Sequence, residues 1–158
     1  YKGENWYIGD TYNTSIGQGD ILVTPLQLAL STAVFANGGI LFLPQVAEMI
    51  GDVKVQPKIL NRSFLSLENI KIVREGMKSA VETGSSKFLA DFPYKVAGKT
   101  GTAQTGRARN HAWFTGFAPY EDAEVVVTVL LEEGEKSDYA VRVAKEILSE
   151  YFKIYPQN

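Results

Sequence analysis

Hydrophobic and polar positions sort this chain into a short series of elements. The sharpest is "TPLQLALSTAVFANGG", where Thr24 suits an N-cap, Pro25 the first helical position and Gln27 the far side of a capping box, with Asn37, Gly38 and Gly39 as the stop. Leu26, Leu28, Leu30, Ala33, Val34 and Phe35 leave almost no polar face, so this helix is expected to be buried on most sides. A second helix is predicted from the cap Ser66 to about Glu82, with Leu67, Ile70, Val73, Met77, Ala80 and Val81 as one apolar stripe and Gly84 as its end. A last amphipathic helix follows Ser137, with Ala140, Val143, Ala144, Ile147, Leu148 and Tyr151 on one side.

Strands fill the intervals. "VAEMIGDVKVQP" reads as two short strands turning at Gly51-Asp52 and bounded by Pro44 and Pro57. Three longer candidates cover residues 94 to 104, 111 to 119 and 124 to 132. Their short connections make the pairs antiparallel, and the third, "EVVVTVLLE", is apolar on both faces and so is expected to be covered on both. Residues 1 to 20 are rich in turn formers without sustained periodicity and are read as an ordered loop. The expected class is therefore α/β in the α+β sense, an antiparallel sheet flanked by helices.

Bulk composition narrows the function classes. The chain has 158 residues, 45% hydrophobic and 22% charged, with a formal net charge of -2. That is the size and balance of one globular unit, and no basic stripe argues for nucleic acid. Cysteine is absent, which removes disulfides and thiolate metal sites. With a single histidine, His111, no metal cluster is expected, and no cofactor is called for. The opening "YKGENWYIGD" holds no signal or span, and an upstream part is expected to be missing.

The chemistry concentrates in "YKVAGKTGTAQTG", residues 94 to 106. Gly98-Lys99-Thr100 matches the end of a phosphate-binding loop, but Pro93 stands where the first glycine of that motif belongs. "GTAQTG" is also a poor helix start, which weighs against an NTP-binding domain without removing it. The other reading is an edge strand. There Lys99 and hydroxyls flank a groove, Gly101 lets a substrate backbone lie close, and Thr100 and Thr102, alternating with Gly101, present hydroxyls to a carboxylate.

"VAGKTGTAQTG" followed by "HAWFTGFAP" resembles the third motif and next strand of the penicillin-binding proteins, bacterial D,D-transpeptidases. "WYIGDTYNTSIGQGDILVTPLQLALSTAVFANGG" resembles the segment before that motif, and "GDT", "IGQG" and "TPLQ" point to the class B, elongation-type members. The resemblance implies a five-stranded antiparallel sheet with 94 to 104 as its edge strand and the next two strands inward. It implies that Lys99 assists proton transfer, that Thr100 and Thr102 bind the substrate or β-lactam carboxylate, that the Thr102 N–H is an oxyanion donor, and that Gly101 clears the path. The expected partners are the peptidoglycan stem peptide and β-lactams, at the extracytoplasmic side of the inner membrane in the cell envelope. A β-lactam sensor of the same fold is the alternative within the family.

The family's Ser-x-x-Lys and Ser-x-Asn motifs are absent: Ser79 is followed three on by Glu82, Ser85 by Phe88 and Ser149 by Phe152. Residues 1 to 158 are thus expected to be the C-terminal portion of one transpeptidase domain, inactive alone, whose missing N-terminal part is itself a partner. The isolated segment, with strand 124 to 132 left open, is expected to self-associate, with a two-fold homodimer as the simplest form, or to be only marginally stable. Gln18 is read as a loop residue buttressing the helix start, with substrate contact as its alternative. His111 is read as a strand-end residue near the groove, and Arg107 and Arg109 as solvated arginines beside it, with attraction of an anionic peptide terminus as their alternative. Trp113 and Phe114 are read as core on alternating faces, and Glu132, Glu133 and Glu135 as a solvated turn.

Overall fold

In a computed structural model, described for residues 3, 5–62, 65–106 and 108–154, a three-stranded antiparallel sheet lies between helices. Its strands are β5 (Ala97–Ala103), β6 (His111–Ala118) and β7 (Val125–Leu131), in that order across the sheet. Before them come α1 (Ile8–Ser15), α2 (Pro25–Ala36), the strand pairs β1 (Ile40–Phe42) with β4 (Ile59–Arg62) and β2 (Met49–Ile50) with β3 (Val53–Lys54), α3 (Leu67–Glu82) and a 3-10 turn at Lys87–Leu89. After them runs α4 (Ser137–Ile154).

Pairing register separates the two faces of the sheet. Ala112, Phe114, Gly116 and Ala118 share one face with their β7 partners Leu131, Val129, Val127 and Val125. Along α4, Ala140, Val141, Ala144, Leu148 and Phe152 join that face in one core, with Phe114 fully buried at its centre. Burying a phenylalanine contributes about 2 to 3 kcal/mol. The opposite face carries Trp113, Thr115 and Phe117 and is covered by α2 and α3, so β7 has α4 on one side and α2 on the other, as its two apolar faces require.

Two glycines set the spacing between β5 and β6. Gly98 faces Gly116 across the ladder. A Cβ at Gly98 would stand 2.5 Å from the Phe114 ring, and one at Gly116 2.6 Å from the Ala97 carbonyl, so the ring occupies the volume two side chains would need.

The helix signals hold at their starts. Thr24 Oγ1 accepts from the Gln27 N–H while Gln27 Oε1 accepts from the Thr24 N–H, and Ser66 Oγ accepts from the Asn69 N–H. At the far end of α2 the Arg74 guanidinium donates to the Phe35 and Ala36 carbonyls and also to that of Tyr120, placing a cation where the helix dipole favours one. Its planar face lies over the Phe117 and Tyr120 rings, 4.9 and 5.0 Å from their centroids.

Four expectations are corrected. Residues 8 to 15 form a helix, not a loop: Asp10 accepts from the Tyr7 N–H, and Trp6 donates to Thr11, so the polar side chains that suggested turns instead brace a short helix. Only Thr32 of α2 is fully buried and Leu26 is 56% exposed, because the sheet, β1 and α3 cover one side of the helix and no other described element covers the rest. Strands β1 and β4, missed in the sequence, are short, the first half-buried and the second exposed throughout, so neither shows an alternation. The buried stripe of α4 is turned toward Val141 and Phe152 and away from Val143 and Ile147, and Ser137 is the first helical residue.

Candidate functional site

Strand β5 is an edge strand: β6 pairs with one side of it, and no described strand pairs with the other. Extended residues point N–H and C=O to the same side, alternately inward and outward along an antiparallel pair. The Thr102 carbonyl accepts from Gln18 Nε2 at 3.0 Å, on the side away from β6, so Gly98, Thr100 and Thr102 are the outward set. The Thr102 N–H therefore opens onto this edge.

Side chains divide by face. Lys99, paired with Thr115, lies on the α2/α3 side, where with Leu28, Thr32, Phe35, Met77 and Ala80 it lines a groove of about 490 Å³. Its ammonium donates to the outward Thr100 carbonyl at 2.6 Å. Beneath it three buried or half-buried hydroxyls connect α2 to the sheet: Thr32 and Thr115 are 2.8 Å apart, and Thr115 and Thr128 2.7 Å. Thr32 also donates to the Leu28 carbonyl, which fixes the chain to run from Thr128 through Thr115 to Thr32.

Thr100 and Thr102 lie on the other face, opposite Phe114 and Ala112. The ammonium and the threonine hydroxyls thus do not share a face; they meet only around the outward rim. Thr102 is exposed, whereas Thr100 is 8% exposed and its hydroxyl stands 2.7 Å from that of Ser85, in the loop after α3. Ser85 is the residue that sequence reasoning missed. Its only signal was a hydroxyl in the "TGSS" that ends a helix.

Gly101 differs from the other glycines of the sheet. A Cβ there would meet only Trp113 Cβ, at an ordinary 3.4 Å, so packing within this chain does not demand glycine. Its side-chain position, on the same face as Lys99, is open and leaves room for a ligand backbone.

The remaining candidates lie around this strand. Gln18, flanked by Gly17 at φ 73° and Gly19 at φ 88°, reaches β5 rather than the start of α2, donating to the Thr102 carbonyl and accepting from the Gln104 N–H at 3.4 Å. His111 begins β6 and its Nδ1 accepts from the Glu133 N–H at 3.0 Å, which uses the ring to close the exposed turn of Glu132, Glu133 and Glu135. Phe114 is core as expected, and Trp113 is half-buried on the opposite face. Arg109 is exposed, and Arg107 lies outside the described residues. Lys99 sits in mid-strand with no helix after it, which removes the phosphate-loop geometry and with it the NTP-binding reading.

Residues 1–153 match the family described as the penicillin binding protein transpeptidase domain. The chain is 32% identical to the peptidoglycan D,D-transpeptidase MrdA of Haemophilus influenzae over 92% of its length, and spans 26% of that relative. Among solved structures, PBP2 of Pseudomonas aeruginosa in complex with WCK 5153 superposes with a TM-score of 0.85 at 35% identity, covering 94% of this chain and 34% of that one. PBP2 of Helicobacter pylori, in its complex with MreC, gives 0.78 at 32% identity, covering 96% and 29%.

Proposed function

Because this chain belongs to the penicillin-binding-protein transpeptidase family, we propose that it is the C-terminal portion of one D,D-transpeptidase domain, whose parent crosslinks peptidoglycan stem peptides through a serine ester and is acylated by β-lactams. The observation that carries the reading is the outer rim of β5, where the Thr102 N–H opens between an ammonium on one face and two threonine hydroxyls on the other.

Each group has work suited to its place. A serine from the rest of the domain attacks the carbonyl of the penultimate residue, the amine of the last residue leaves with a proton, and an acceptor amine then opens the ester. Lys99 assists the proton transfers and counters negative charge at the reacting centre. The Thr102 N–H donates to the oxyanion, a contribution that in enzymes generally reaches about 3 to 4 kcal/mol. Thr100 and Thr102 receive the terminal carboxylate, and Gly101 lets the peptide approach. The parent would act at the outer side of the bacterial inner membrane; among the described residues no helix is long and apolar enough to cross one.

Intact-mass analysis of the full parent chain after exposure to a labelled penicillin tests the proposal. One adduct per chain is expected, and an unlabelled parent overturns the reading. Turnover of a D,D-peptide with an acceptor amine then separates a transpeptidase from a sensor, which acylates without releasing product.

A further inference from the structure

The carboxamide of Gln18 lies against β5 as a strand residue would: Nε2 donates to the Thr102 carbonyl at 3.0 Å and Oε1 accepts from the Gln104 N–H at 3.4 Å. A side chain 84 positions away in sequence thus fills two backbone places on the rim. The loop is built for this reach. Gly17 and Gly19 take left-handed φ of 73° and 88°, and the Gln18 N–H is tied to the Asn13 carbonyl at 2.9 Å, where α1 ends.

We infer that Gln18 is a specificity-determining residue which competes with the substrate's own backbone for the rim of β5. A peptide adding antiparallel to β5 would face Thr102 with one residue, whose carbonyl accepts from the Thr102 N–H and whose N–H donates to the Thr102 carbonyl. The segment on its carboxyl side then runs toward Thr100, and the segment on its amino side runs toward Gln104. Gln18 leaves the Thr102 N–H open and occupies the two groups on the amino side. The facing residue therefore finds its carbonyl donor ready, while its own N–H and the carbonyl two residues before it must displace Gln18. The 3.4 Å contact is the weaker of the pair, so the carboxamide exchanges one hydrogen bond for another when it yields.

This inference rests on the proposed function, and the experiment separates the two. The full parent enzyme is assayed as wild type, Gln18→Ala and Gln18→Met, the latter keeping side-chain length without the hydrogen bonds. Two peptides ending in D-Ala-D-Ala serve as substrates, one unmodified and one N-methylated at the penultimate amide. Both variants are expected to lower KM for the unmodified peptide by about five- to tenfold, the value of one neutral hydrogen bond, with kcat unchanged. For the N-methylated peptide, which cannot donate to Thr102 and has only the Gln104 N–H to gain, the fall in KM should be clearly smaller. Equal changes for both peptides, no change in KM, or two variants too unstable to assay would overturn the inference. A wild-type parent that no penicillin labels would instead overturn the proposed function.

Discussion

The hydroxyls of Ser85 and Thr100 stand 2.7 Å apart, tying the loop after α3 to the middle of β5. Each hydroxyl has one proton, so if Thr100 donates to a carboxylate, Ser85 can donate to Thr100 and strengthen its hold. In the parent enzyme Ser85→Ala and Thr100→Val should each slow penicillin acylation by about fivefold, and the double variant should do little worse than either. Effects that multiply in the double-mutant cycle would show the two hydroxyls acting separately.

Lys99→Ala in the parent should lower acylation by about a hundredfold or more while the melting temperature stays near wild type. The side chain is exposed at the groove, so its removal takes charge from the reacting centre rather than volume from the core. Thr102→Val should weaken ligands that carry a carboxylate but keep the backbone donor. Acylation rates equal to wild type in both variants would remove these residues from the mechanism.

The sheet shows why so much was legible. Thr100, Gly101 and Thr102 sit in a strand with a two-residue period, so the sequence order alone set the threonines apart from Gly101, and β5 to β7 pair in the order expected. That Lys99 shares the face of Gly101 and not that of the hydroxyls beside the groove appears only in the structure. Helix starts were legible because Thr24, Gln27 and Ser66 act on backbone groups within three residues. Gln18 and Ser85 were not, since each gains its meaning from a strand residue far along the chain, Thr102 in one case and Thr100 in the other. Nor does periodicity distinguish Val141 from Val143 as the inward residue of α4 until the sheet fixes which stripe it faces.

Tyr120 carries a pH dependence. Burial raises the phenol above its ordinary value, and its hydrogen bond to Glu75 at 2.7 Å raises it further. A raised value means that the folded state favours the protonated phenol, so this contribution is complete below pH 10 and is lost as pH climbs through the folded-state value. Thermal melts of the isolated chain should therefore fall in the alkaline range, with a smaller fall in Tyr120→Phe. Identical alkaline profiles would remove Tyr120 as the cause.

The isolated 158-residue chain should form no penicillin adduct, since it has no Ser-x-x-Lys. It should also associate. Strand β7 closes the described sheet without a partner on its outer side, and Leu26, Leu67 and Ile72 are 56%, 73% and 62% exposed. Light scattering over a concentration series should show dimers or larger species, and a monodisperse monomer at high concentration would contradict this.

Ser86 is fully buried, and among the described residues its hydroxyl has no hydrogen-bond partner. Ser86→Ala should stabilise the chain by about 1 kcal/mol or leave it unchanged, as read from denaturant midpoints. A loss of more than about 1 kcal/mol would mean that the hydroxyl is satisfied after all.

The Phe114 ring resting over the Gly98 and Gly116 pair binds three positions into a single heritable unit. A methyl group at Gly98 is excluded chiefly by the ring and gains room once position 114 holds something slimmer or more pliable, whereas Gly116 stays closed by the Ala97 carbonyl whatever stands at 114. Gly98 precedes Lys99 directly, so drift in the core behind the strand reaches the rim proposed to meet substrate. Change at this surface can therefore begin with a residue no ligand ever touches.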